Sequence, residues 1–165
     1  MMYSRDRIVK WGLYALLLWF ICVLQIAVPL RSGFVSALPL IPLCCLTAIF
    51  EGRASGGIYG LCAGLLCDAF TPGVEAYFTV TLALCGMFAG AYFQRYFRLN
   101  FLTASLWAVS LHAGIVLLYA VLFVIIPGAA GADALYYAAL PEVLLTLPYY
   151  PLIYLLVKRT HTRYK

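Results

Sequence analysis

The stretch GGIYGLCAGLLCD, residues 56–68, decides how this chain folds. Four of its residues recur at every fourth position and form one slowly drifting stripe on a helix: Gly56, Gly60, Gly64 and Asp68. Three glycines leave a groove without side chains, which lets a neighbouring helix approach closely. A carboxylate inside a membrane helix is costly. We therefore expect Asp68 to face the interior of a helix bundle.

The next apolar segment carries a second small face, formed by Gly86 and Gly90. The two faces could meet in a hairpin, or either could receive the helix of a partner protein. Asp68 likewise has two interpretations. It could hydrogen-bond the turn at residues 71–73, or it could act as a polar lock or binding residue.

The composition excludes a soluble domain. Hydrophobic residues make up 65% of the 165 residues and charged residues 10%, whereas a soluble domain is nearer half apolar and a quarter charged. Open strands cannot span lipid, because their backbone donors would be unsatisfied. The sequence predicts one all-α integral membrane domain, a compact bundle of six spans at residues 11–28, 34–50, 56–70, 76–93, 101–126 and 135–157.

The basic residues are sorted between these spans. Ten of the 11 lie in alternate gaps or at the two ends: Arg5, Arg7, Lys10, Arg53, Arg95, Arg98, Lys158, Arg159, Arg163 and Lys165. Short loops rich in Lys and Arg stay cytoplasmic, so both termini are predicted to be cytoplasmic. The net charge of +5 is then a topology signal and does not indicate nucleic acid. The basic tail could also contact anionic lipid headgroups.

A few polar residues could line a pocket toward the outer side: Arg31, Asp68, His112 and Glu142. Arg31, the single basic residue predicted outside, is a candidate counter-ion for the carboxylates. His112 shares a helical face with Ser105 and Tyr119. A buried, hydrogen-bonded histidine is the favoured interpretation, and a proton relay is the alternative.

The sequence does not favour an enzyme or a metal protein. It contains neither a nucleophile elbow nor an H-E-x-x-H motif. All six cysteines fall inside apolar segments, without C-x-x-C or Cys/His spacing, and are interpreted as small buried hydrophobic residues. We expect no catalytic residue, no metal and no cofactor.

The pattern from about residue 38 to 157 resembles MreD, the rod shape-determining membrane protein family of bacteria. The resemblance rests on Gly60-Leu-Cys-Ala-Gly64-Leu-Leu-Cys-Asp68 followed by Pro72-Gly73. Gly86 and Gly90, the segment from Arg95 to Asn100, and the proline-punctuated last span with its basic tail are also similar. Three features depart from the family pattern. Thr71 directly precedes Pro72, which makes the outer turn shorter than expected, and the six cysteines and Glu51 are not typical of the family.

This resemblance implies a non-catalytic scaffold of the cell-elongation machinery in the bacterial inner membrane. Its implied partners are the bitopic protein MreC, the RodA–class B penicillin-binding protein pair and, indirectly, MreB filaments. The implied fold is similar to the S-components of energy-coupling-factor transporters, so a vitamin-binding S-component is the alternative function. Those proteins present an Ala-x-x-x-Ala face on the first span, where this chain has the bulkier Gly12-Leu-Tyr-Ala15-Leu-Leu-Leu-Trp19.

Overall fold

The structure is a computed structural model that describes residues 2–27, 38–70, 76–97, 99–122, 126 and 140–164. Over this part of the chain it contains helices and no strand. In chain order the helices are α1 (Met2–Ala27), α2 (Leu40–Glu51), α3 (Arg53–Phe70), α4 (Tyr77–Tyr96), α5 (Phe101–Ala120), α6 (Leu140–Thr146) and α7 (Tyr149–Arg163). The predicted all-α class is confirmed.

Three of the described helices are long and apolar enough to cross a membrane, namely α1, α4 and α5. The pair α6 and α7 makes a fourth if it is counted as one bent span. α2 has only 12 residues, and the glycines, Arg53 and Asp68 dilute the apolar character of α3. The described part of the chain is therefore all-helical with three to four candidate spans, and the count of six stays a prediction.

The short helix α2 lies at the centre of the bundle. Every residue from Leu40 to Phe50 is buried, and the helix contacts α1, α3, α4, α5 and α7. A helix that is apolar on all sides is expected to be enclosed on all sides. Pro39 and Pro42 do not break it. Pro39 precedes its first residue and Pro42 lies in its first turn, where a missing backbone donor costs little.

One glycine separates α2 from α3. The predicted loop at residues 51–55 is wrong in extent, because Glu51 ends α2 and Arg53 already begins α3. Gly52 adopts φ 91°, a conformation that residues with a side chain rarely take. This single residue reverses the chain, so α3 packs directly beside α2.

The last predicted span is broken among its described residues. α6 and α7 meet at a bend of 46° around residues 147–148. Pro148 cannot donate a backbone hydrogen bond, and the helix restarts directly after it. α7 then continues to Arg163, six residues past the predicted end of the span, and carries the basic tail as helix.

Candidate functional site

The glycine stripe of α3 is filled by α4. A Cβ atom added to any of its three glycines would lie within 3.0 Å of the α4 backbone: Gly56 against Gly86, Gly60 against Leu82 and Gly64 against Phe78 and Thr79. Real Cβ atoms essentially never approach that closely. The absence of side chains therefore brings the two backbones into direct contact.

The small face of α4 is the other half of the same contact. An added Cβ at Gly86 would meet the backbone of Gly56, and one at Gly90 would meet Gly52 and Arg53. The structure thus shows the hairpin alternative. The structure does not leave this groove open for the helix of a partner protein, because α4 already occupies the space.

Asp68 holds the beginning of α4. Its carboxylate accepts hydrogen bonds from the backbone N–H groups of Phe78 (2.9 Å) and Thr79 (2.8 Å) and from the Thr79 hydroxyl. The first N–H groups of a helix lack partners within it and carry partial positive charge. α4 is preceded by Ala76, which supplies no side-chain cap. The Asp68 carboxylate of α3 therefore caps the helix in its place. Residues 71–73, the alternative partner, lie outside the described residues.

Of the predicted polar pocket, the structure brings two residues together. His112 on α5 is fully buried, and its Nε2 lies 4.0 Å from Oε1 of Glu142 on α6. Its Nδ1 lies 2.9 Å from the Tyr150 hydroxyl on α7. Asp68 is instead engaged with α4, and Arg31 lies outside the described residues.

The residues predicted to share a face with His112 play other parts. Tyr119 stacks on Phe78 with ring centroids 5.8 Å apart, which ties α5 to the beginning of α4. The Ser105 hydroxyl is buried without a hydrogen-bond partner in the described structure. The hydrogen-bond partner of His112 is therefore Tyr150, on another helix.

A charged cluster that the sequence did not predict lies at the C-terminal end of α2. The Glu51 carboxylate lies 2.8 Å from Lys10 Nζ on α1 and 2.8 Å from His161 Nδ1 on α7, and it accepts a hydrogen bond of 2.9 Å from the Tyr14 hydroxyl. We call these four residues the Glu51 cluster. The signal was an acidic residue in a gap that otherwise carries only the basic Arg53.

The electrostatics of the Glu51 cluster favour the ionised carboxylate. Burial alone would raise the pKa of Glu51, but hydrogen bonds from Lys10, His161 and Tyr14 outweigh it and lower the pKa from its ordinary value of 4.5. Side chains of α1 and α7 thereby hold the ionised carboxylate at the end of α2 by charge-assisted hydrogen bonds.

A cleft of about 640 Å³ opens beside the Glu51 cluster. Its lining comes from both ends of the chain and from the α2–α3 corner: Asp6, Arg7, Lys10, Trp11, Glu51, Ser55, Arg163 and Tyr164. Positive side chains outnumber negative ones in this lining by one. The cleft lies at the end of the bundle for which the sequence predicts cytoplasmic loops.

The cysteines differ in exposure. Cys22, Cys44, Cys45 and Cys67 are buried, Cys85 is half-buried, and Cys62 is exposed on the outward face of α3. The prediction that all six are buried is wrong for Cys62, because it lies opposite the glycine stripe. No group of three or more metal-ligating side chains occurs in the part of the chain that the structure describes.

Comparison with protein-family models, with curated proteins and with solved structures finds no match. The described geometry offers a closely packed helical hairpin, a charged cluster with a cleft, and a buried histidine with two polar neighbours.

Proposed function

We propose that this chain is an MreD-like, non-catalytic scaffold with six membrane spans. In this proposal it lies in the bacterial inner membrane with both termini in the cytoplasm, binds MreC, and connects it to the RodA–class B penicillin-binding protein pair and indirectly to MreB. The basic residues sorted between the apolar segments support the orientation.

The observation that carries the proposal is the α3–α4 hairpin. The residues that carry the family resemblance, Gly60, Gly64 and Asp68, all act at this one contact. Backbone contact and a capped helix beginning leave the hairpin little freedom to move. A rigid surface suits a protein that positions partners.

The filled stripe changes where a partner can bind. Because α4 occupies the glycine groove, the transmembrane helix of MreC has to pack against an outward surface of the bundle. Gly64→Leu would therefore disrupt the scaffold itself and cannot isolate partner binding.

The test is mass spectrometry of the proteins that co-purify with the tagged chain from gently solubilised native membranes. We expect MreC, RodA and the class B penicillin-binding protein. Two ATPase subunits with a large transmembrane coupling protein would overturn the scaffold proposal in favour of the S-component.

A matched pair of variants sharpens this experiment. Gly64→Ala forces a Cβ into the α4 backbone, whereas Gly114→Ala places one in open space on α5. The scaffold proposal expects partner recovery to fall for the first variant and to stay at the wild-type level for the second. Equal recovery of MreC with both variants would show that the hairpin is not required for binding.

A further inference from the structure

A buried chain of polar groups joins α5, α6 and α7. His112 is fully buried and lies between the Tyr150 hydroxyl, 2.9 Å from Nδ1, and Glu142 Oε1, 4.0 Å from Nε2. Neither Nε2 nor Oε1 has a hydrogen-bond partner among the described residues, although both atoms are buried. Buried polar atoms without partners are rare and call for an explanation.

The two atoms face each other, and their chemistry restricts what lies between them. An ionised carboxylate oxygen only accepts hydrogen bonds, and a bare imidazole nitrogen also accepts. Two acceptors facing each other in a buried site repel. A proton on Nε2, directed at Oε1, satisfies both atoms after a small closing movement.

Tyr150 makes this arrangement compatible with two protonation states. Its hydroxyl has two acceptors within reach, the Ala108 carbonyl oxygen at 3.4 Å and His112 Nδ1 at 2.9 Å. When the hydroxyl donates to Nδ1, His112 is neutral and keeps its proton on Nε2. When the hydroxyl donates to Ala108, its oxygen accepts from a protonated Nδ1, and His112 is a cation beside Glu142.

We propose that His112, Glu142 and Tyr150 form a reversible binding site for one proton, in which rotation of the Tyr150 hydroxyl switches between the two states. The bound proton comes from water and is carried on Nδ1 of His112. The Glu142 carboxylate supplies the counter-charge. In each state the Tyr150 hydroxyl is hydrogen-bonded, and Nε2 of His112 carries a proton on the side of Glu142.

Glu142 is the partly exposed member of the site. Its side chain is 21% exposed, whereas the imidazole is fully enclosed. Two buried thiols are the other titratable groups whose charges would be felt here, Cys45 of α2 at Tyr150 and Cys67 of α3 at Glu142. As thiols they carry no charge, so Glu142 is the negative group beside the protonated form of His112.

The experiment is ¹⁵N NMR of histidine-labelled protein in lipid nanodiscs, titrated from mildly acidic to mildly alkaline pH. The chain has two histidines, so His161→Gln assigns the signals. We expect His112 Nε2 to stay protonated throughout, and Nδ1 to change from a protonated to an accepting nitrogen in one step.

Variants of the counter-charge test the assignment. In Glu142→Gln the cation loses its carboxylate, so we expect the His112 step to move to lower pH by about one unit or more. Glu142→Asp keeps the charge and should leave the step close to its wild-type position. As a matched control, Glu51→Gln should move the His161 signal and leave that of His112 in place.

Two results would overturn the proposal. One is a wild-type Nδ1 signal that does not change across the titration, which needs no variant and so is unaffected by folding defects. The other is a His112 step that lies at the same pH in wild type and in folded Glu142→Gln.

Discussion

The glycines of α3 and the glycine of α5 have opposite surroundings. An added Cβ at Gly64 would collide with the backbone of Thr79 on α4, whereas one at Gly114 would meet nothing within 4 Å. Both lie inside apolar helices of similar length. A glycine in a helix is therefore not by itself evidence of an interface: here the glycines that repeat every four residues lie at one, and the isolated Gly114 does not.

The same contrast divides the bundle into two kinds of contact. The backbones of α3 and α4 are in direct contact, and the Asp68 carboxylate joins the two helices at one end. α5 is joined to its neighbours by side chains instead, such as the Tyr77 hydroxyl that donates to the Ile115 carbonyl at 2.7 Å and the pair of His112 and Tyr150. Substitutions should therefore be tolerated very differently in the two regions.

The largest effect is expected for Asp68→Leu. Two backbone donors and one hydroxyl would lose their acceptor, at a cost of about 1–3 kcal/mol for each group that stays buried and unsatisfied. Asp68→Asn keeps one acceptor oxygen and should be milder. Thermal unfolding in detergent compares the two variants. An equally large decrease in unfolding temperature for both would instead indicate that the negative charge of Asp68 is required.

Gly64→Ala should give the next largest effect. The added Cβ needs a shift of the Thr79 backbone, and overpacking of this kind typically costs about 1–3 kcal/mol. The same thermal unfolding assay measures it. An unchanged midpoint would show that α3 and α4 separate more easily than their contact suggests.

A smaller, pH-dependent effect is expected for Glu51→Gln. The pKa of Glu51 is lowered in the folded protein, so its stabilisation is complete above its ordinary value of 4.5 and is lost as pH falls through the folded value. The variant should unfold at a lower temperature than wild type near neutral pH, and the gap should narrow below pH 4.5. A gap independent of pH would mean that the ionised carboxylate does not stabilise the cluster.

Gly114→Ala should have the smallest effect, with the opposite sign. The position is open, and alanine is favoured over glycine in a helix interior by about 0.5–1 kcal/mol. A slightly higher unfolding temperature is expected. A marked decrease would reveal a contact at Gly114 that involves residues outside the described part.

The sequence predicted what depends on local spacing. The helical class and the shared role of Gly60 and Gly64 both follow from composition and periodicity. It left open whether α4 or a partner fills the stripe, because both would present the same small surface.

Contacts between residues that are far apart along the chain could not be predicted from local spacing. Lys10, Glu51 and His161 are each unremarkable in their own segment, and only the packing of α1 and α7 on α2 brings them together. The pairing of His112 with Tyr150 likewise depends on the angle at which α7 leaves the bend at residues 147–148. A one-dimensional pattern carries no such angle.

The Glu51 cluster also has a consequence for synthesis of the chain. Lys10, Glu51 and His161 come from α1, α2 and α7, so the ribosome delivers Lys10 and Glu51 long before His161. Until α7 has emerged and packed, the carboxylate lacks one of its partners. The order of translation therefore means that the last helix completes the cluster, and a chain that ends before α7 holds Glu51 with Lys10 and Tyr14 alone.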